Sequence, residues 1–95
     1  MSIRFEWDKT KSLENQKKHK ISFEEAQTIF VDENALLIHD LDHSDEEDRF
    51  VLLGMSAKIK ILAVCHCYRE DDQKIRIISA RKANRRERNS YFQRR

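Results

Sequence analysis

The sequence predicts an α+β domain: helices packed on an antiparallel sheet, with elements in the order β-α-α-β-β-β-β-α. Three observations lead there. Short alternating or apolar stretches recur with brief connections between them, the pattern of an antiparallel sheet rather than of parallel crossovers. Two capping signals, Ser22 followed by Glu25 and Asn84 followed by Glu87, each stand at the head of a helix-like stretch. The length of 95 residues allows a single domain, 1–95, with a thin core.

The elements follow in order. Ile3-Arg4-Phe5-Glu6-Trp7 alternates, with its apolar residues on one face, and reads as a first strand. Asp8 is the expected N-cap of a first helix that ends near His19 or Lys20. That helix offers little apolar surface beyond Leu13, so most of its lysines must be solvated. Ser22-Phe23-Glu24-Glu25 is a capping box, and Phe23, Ala26, Ile29 and Phe30 form the stripe of a second helix. Ala35–His39 and Arg49–Met55 read as strands separated by an acidic loop. Lys60–Tyr68 is apolar on both faces in its middle, which predicts the centre of the sheet. Glu70-Asp71-Asp72-Gln73 turns the chain into a last strand, Lys74–Ser79. Ser79–Ala83 is expected to be an irregular lead-in to a final helix starting at Arg85. With one Gly and no Pro, these boundaries rest on caps and periodicity alone.

Composition narrows the function. Charged residues make up 38% of the chain, yet the formal net charge is only +2. The charge is segregated: Asp40–Asp48 holds six acids and no Lys or Arg, Lys9–Lys20 holds five Lys against Glu14, and Arg81–Arg95 holds seven Arg or Lys against Glu87. Such polarity suits a polyanion on one side and a basic partner on the other. The longest apolar run, Ile61–Cys65, is far short of the ~20 residues that cross a bilayer. Arg4, Glu6 and Asp8 interrupt any signal-like start. A soluble, cytoplasmic protein that touches no membrane is the expectation.

Several chemistries drop out. Cys65 and Cys67 share a strand face too widely spaced for a disulfide, and Cys65-His66-Cys67 cannot all turn to one metal ion. Asp40-Leu41-Asp42-His43-Ser44-Asp45 imitates a calcium loop, but Asp45 stands where the turn needs Gly and Val51 where the closing Glu belongs. A single glycine cannot build a phosphate loop, a dinucleotide fingerprint or a nucleophile elbow. Neither a metal nor an organic cofactor is expected.

What remains is a basic set: Arg49, Arg69, Arg76, Arg81, Lys82, Arg85, Arg86 and Arg88, with Lys18 and His19 from the first helix. Arg76 interrupts a strand of isoleucines. Either it pairs with an acid or reaches solvent along an edge, or it meets an anion. Tyr91 and Phe92, set among arginines, add surfaces on which bases stack. The C-terminal tract therefore reads either as a solvated charged helix or as an RNA-binding one.

Three stretches together resemble one family. "FEWDKTKSLENQKKHKISFEEAQTIF" at Phe5–Phe30, "DLDHSDEEDRFVLLGMS" at Asp40–Ser56 and "RIISARKANRRERNSYF" at Arg76–Phe92 look like the BrnT toxins. The resemblance covers nearly the whole chain, with departures at turns. Lys20 and Ile59 stand where the family usually has Gly, and Glu33 where it has Pro.

The resemblance implies a RelE-like fold and the ribonuclease half of a type II toxin–antitoxin module. It also implies neutralisation by a BrnA-like antitoxin with a ribbon-helix-helix DNA-binding part, the complex repressing its own operator DNA. The acidic segment and the basic tail are both expected antitoxin surfaces.

RNA carries its own nucleophile, the 2′-hydroxyl, so metal-independent cleavage needs positioning, proton transfer and charge stabilisation at phosphorus. Arginine suits the last task. The expected catalytic set is Arg76 and Arg81 on the scissile phosphate, Arg69 and Arg49 flanking, and His66, Glu87 or Tyr91 as base or acid. Lys18, His19, Lys82, Arg85 and Arg88 are the expected RNA contacts. The alternative is a module that binds RNA, DNA or the antitoxin without cutting.

Overall fold

The computed structural model describes residues 3–39, 48–69 and 73–93. Five strands form one sheet in the order β1-β5-β4-β3-β2. They are β1 (Arg4–Glu6), β2 (Leu36–His39), β3 (Phe50–Met55), β4 (Ile61–Arg69) and β5 (Lys74–Lys82). Helices α1 (Lys9–His19) and α2 (Phe23–Gln27) follow β1, a 3-10 turn covers Thr28–Val31, and α3 (Arg85–Gln93) follows β5. The doubly apolar β4 is the central strand, as its sequence predicts. Of the expected acidic loop, Asp40–Asp48, residues 40–47 lie outside the described residues, as do residues 70–72 of the expected turn, Glu70–Gln73.

The sheet is mixed rather than wholly antiparallel. β1 pairs in parallel with β5, Glu6 opposite Arg76, while the other neighbours run antiparallel. The first strand thus joins the last one, while helices α1 and α2 carry the chain from β1 to β2 at the opposite edge of the sheet. Local alternation reports a strand but not its partner, so this pairing had no sequence signal.

Asp8 caps α1 as expected, its Oδ1 accepting from Lys11 N at 3.0 Å. Lys20 ends the helix in the left-handed conformation at φ 64°. Leu13, however, is 67% exposed and gives the helix no apolar face toward the protein. Ser12 and Asn15, three apart, face inward instead. Asn15 donates through Nδ2 to Ala80 O and Ile21 O, both at 2.9 Å, and accepts at Oδ1 from Ala80 N at 3.1 Å. It thereby acts as a strand partner for β5 beyond the point where β1 stops.

Ser22 caps α2, its Oγ accepting from Glu25 N at 3.0 Å. Glu25 is buried, and its carboxylate accepts from Ser56 Oγ at 2.7 Å, stitching α2 to the end of β3. Ile21, Phe23, Ala26 and Ile29 pack with Leu52, Leu62, Val64, Ile75, Ile77 and Ala80 as the main core on one sheet face. Gly54, the chain's only glycine, allows this approach: a Cβ there would lie 2.9 Å from Ile29 Cβ.

β5 extends to Lys82, three residues beyond the expected Ser79, so the predicted irregular lead-in is strand paired with β4. A bulge makes the continuation possible. His66 opposes Ile77 and Cys65 opposes Ser79, leaving Ile78 as the extra residue. Asn84 then caps α3 with a complete capping box: Glu87 N donates to Asn84 Oδ1 and Asn84 N to Glu87 Oε1, both at 2.8 Å. Tyr91 packs the helix on Leu53 and Ala63, on the sheet face opposite the main core.

Candidate functional site

The face beneath α3 is only partly covered, and the bulge decides what lies on it. Without the extra residue, Arg76 and Arg81, five positions apart, would point to opposite faces. In the register observed, Arg76 opposes Cys67 and Arg81 opposes Ala63, which are four apart on β4 and so share a face. Val51 opposes Cys65 on that face, and Arg49, two residues before Val51, lies on it by alternation. Arg69 opposes Lys74 there too. The structure therefore gathers Arg49, Arg69, Arg76 and Arg81 onto one sheet face. The Arg76 and Arg81 rows are separated by ~13 Å of strand rise.

A cavity of about 220 Å³ occupies this face, lined by Arg49, Val51, Ala63, Cys65, Ile78, Ser79 and Arg81. Arg49 Nε is buried and has no hydrogen-bond partner among the described residues. An orphaned buried guanidinium nitrogen carries a desolvation cost, which an anion entering the cavity would relieve. Arg81 crosses from the other side, held by Glu87: Nη1 to Oε1 at 2.7 Å and Nη2 to Oε2 at 2.9 Å. These bonds raise the Arg81 pKa and hold Glu87 below the usual carboxyl range, against the opposing effect of burial.

At the other end of the face three cations converge on one carboxylate. Glu6 Oε2 accepts from Arg76 Nη1 at 3.0 Å and lies 3.6 Å from Arg69 Nε, while Oε1 lies 3.5 Å from Lys74 Nζ. The bond from Arg76, more than the other influences, lowers the Glu6 pKa. Arg76 has thus found an acid, one of the alternatives left open by its sequence context. Glu6 was not among the expected site residues. Its only sequence signal is its place opposite the apolar face of the first strand.

Other expected residues lie elsewhere. His66 is fully buried on the main-core face, its Nδ1 3.1 Å from Val64 O and its Nε2 3.3 Å from Tyr68 Oη. Phe30, Phe50 and Tyr68 surround its ring, and burial lowers its pKa. The ring therefore does not join the arginines. Tyr91 is buried too, donating its hydroxyl to Asp32 Oδ2 at 2.6 Å, so its ring is closed to stacking while Phe92 stays exposed.

Arg85 and Arg88 are carried on α3, where Arg88 Nη1 donates to Ala83 O at 3.0 Å. Lys82 is exposed at the end of β5, and Lys18 and His19 form the last turn of α1. Lys82 meets the arginine face through its backbone, its carbonyl oxygen accepting from Arg81 Nη1 at 3.4 Å, whereas Lys18 and His19 lie on a separate element, α1. Among the described residues, no three or more His, Cys, Asp or Glu side chains converge as a metal site. No helix there is long and apolar enough to cross a membrane.

Residues 7–87 match the family described as the ribonuclease toxin BrnT of a type II toxin–antitoxin system. The chain belongs to the BrnT family. Its fold is similar to the crystal structure of the Brucella abortus ribonuclease toxin BrnT, at a TM-score of 0.66 and 21% identity. That alignment covers 88% of this chain and 100% of the other. No curated protein sequence matches the chain. BrnT membership makes RNA the substrate class and an antitoxin the expected partner. Two non-glycine residues, Lys20 and Ile59, adopt the left-handed conformation at φ 64° and 62°, a region that favours Gly.

Proposed function

We propose that this chain is an endoribonuclease that inhibits translation by cutting RNA without a metal ion. The RNA supplies the 2′-hydroxyl as nucleophile, and the arginine face supplies the positive charge. The observation that carries this reading is the assembly of Arg49, just before β3, with Arg69 of β4 and Arg76 and Arg81 of β5 onto one partly open sheet face. Fixed guanidinium groups stabilise charge developing at phosphorus, the contribution a metal would otherwise make.

In this reading Arg76, flanked by Arg69, holds the scissile phosphate. Arg49 and Arg81 hold a neighbouring one across the cavity, and Arg85 and Arg88 extend the basic track along α3. Lys18, His19 and Lys82 act as peripheral cations that strengthen binding without touching the cut. Tyr91 and Glu87 serve the site by fixing α3 and Arg81. His66 serves through the core behind it.

The partner in this reading is a BrnA-like antitoxin with a ribbon-helix-helix part, through which alone the complex reaches operator DNA. Family membership supports an antitoxin of some kind, and the segregated charge supports a partner of complementary polarity. A cytoplasmic location follows from translation being the target.

The test is purified, antitoxin-free protein mixed with a long single-stranded RNA in EDTA, with Arg76→Ala as the control. Cutting by the wild type alone supports the proposal. Equal cutting by both proteins points to a contaminant or another site. No cutting by either, with or without translating ribosomes, leaves a module that binds RNA or antitoxin without cleaving.

A further inference from the structure

The arginine face lacks a proton acceptor among the residues expected from sequence. Of the candidates, His66 lies on the opposite face, and Tyr91 is buried with its hydroxyl already donated to Asp32. Both Glu87 oxygens accept from Arg81, and Oε1 accepts from Asn84 N besides. Glu87 is thus committed to positioning. Among the described residues, Glu6 is a second carboxylate bonded to an arginine of this face, accepting from Arg76 Nη1 at 3.0 Å.

We propose that Glu6 is the general base of the cleavage reaction, taking the proton from the attacking 2′-hydroxyl while Arg76 and Arg69 hold the phosphate beside it. This inference rests on the ribonuclease reading above.

Three features carry it. Glu6 opposes Arg76 in the parallel register of β1 and β5, so a phosphate held by Arg76 brings the adjoining ribose to the carboxylate. The Glu6 side chain is 29% exposed, open enough to meet substrate. Its Oε1 faces only Lys74 among the described residues, at 3.5 Å, and is the less committed oxygen. The surrounding cations hold Glu6 ionised in the free protein. A bound phosphate competes for the same cations, which weakens their hold on the carboxylate and makes it a stronger base at the moment of attack.

The step balances. The 2′-oxygen forms a bond to phosphorus as its proton passes to Glu6 Oε1. The bond from phosphorus to the 5′-oxygen breaks, and that oxygen takes a proton from water. The products are a 2′,3′-cyclic phosphate and a 5′-hydroxyl end.

The experiment compares wild type, Glu6→Gln and Glu6→Asp in three measurements. Cleavage rate against pH is read on single-stranded RNA. Affinity is read by fluorescence anisotropy on the same RNA carrying 2′-O-methyl groups, which cannot be cut. Thermal melting verifies folding. We expect Glu6→Gln to cut ~10²–10⁴-fold more slowly, the usual contribution of a general base. It should bind the methylated RNA at least as tightly as wild type, because a negative charge has left the phosphate site. The acid limb of the pH–rate profile should vanish in Glu6→Gln and persist in Glu6→Asp.

Glu6→Gln cutting as fast as wild type overturns the inference and leaves the ribonuclease reading standing. A rate loss matched by an equal loss of affinity also overturns it, since Glu6 would then only scaffold the cations. A wild type that cuts no RNA removes the reading and the inference together.

Discussion

Arg81 and Glu87 clasp each other through two parallel hydrogen bonds, 2.7 and 2.9 Å long, while Glu87 also completes the cap of α3 through Asn84. One carboxylate therefore fixes the start of the last helix and aims the last arginine of β5 across the cavity that Arg49 enters.

Arg81→Ala is expected to relieve the growth arrest that antitoxin-free wild type causes, and to slow RNA cleavage chiefly by weakening RNA binding, since a phosphate contact beside the cut is lost. Arg81→Lys should not restore activity, because an ammonium is a point charge and cannot reproduce the two-pronged grip. Growth assays at matched protein levels decide the matter. Undiminished toxicity in Arg81→Ala would remove Arg81 from the site.

Asn15 carries a fold prediction. Its buried amide meets Ala80 N, Ala80 O and Ile21 O, three backbone groups on the inner side of α1. Asn15→Leu takes this partner from all three and should cost at least about 3 kcal/mol in urea unfolding, the lower end of ~1–3 kcal/mol per unsatisfied buried group. An unchanged midpoint would mean that water reaches and satisfies the edge of β5.

Ile59 is a β-branched residue at φ 62° and is 79% exposed, so it bears backbone strain and contributes little packing. Ile59→Gly should stabilise the protein by about 1 kcal/mol, the left-handed penalty removed. A lower melting temperature in this variant would show that the Ser56–Lys60 turn gains from the side chain after all.

Stability should fall in two stages on acidification. Burial lowers the folded His66 pKa below the ordinary 6.5. The unfolded chain therefore takes up this proton first, and stability is full above pH 6.5 and declines below it. Glu6 and Glu87 are lowered from the ordinary 4.5, chiefly by Arg76 and Arg81 respectively. Their contribution is full above pH 4.5 and is lost as pH falls through their folded values. His66→Phe should abolish the upper decline and keep the lower one, whereas Glu87→Gln should shrink the lower decline alone. Melting temperatures measured from about pH 8 to about pH 3 separate the two stages. A wild-type profile that stays flat from about pH 6.5 to about pH 5 would contradict a buried, neutral His66, because only a ring that titrates alike in both states leaves stability unchanged there.

Much of the fold was readable because its signals are local. Asp8, Ser22 and Asn84 each cap a helix through a bond to an amide three residues on, and the residue types alone announce it. The apolar middle of β4 marked the central strand. Leu13 misled because helix α1 docks through a polar residue, Asn15, which carries no hydrophobic signal. The end of β5 was hidden because a bulge breaks the alternation by which strands are recognised.

The sequence by itself determined the elements, their caps, the segregation of charge and the family, since each depends on residues within a few positions or on motif identity. Only the tertiary structure decided which cations meet which carboxylates. The parallel pairing of β1 with β5 sets Glu6 beside Arg76, and one extra residue at Ile78 brings Arg81 onto the same face. Both depend on strand register, where a shift of one residue reverses every side chain, and register is settled by contacts between segments distant in the chain.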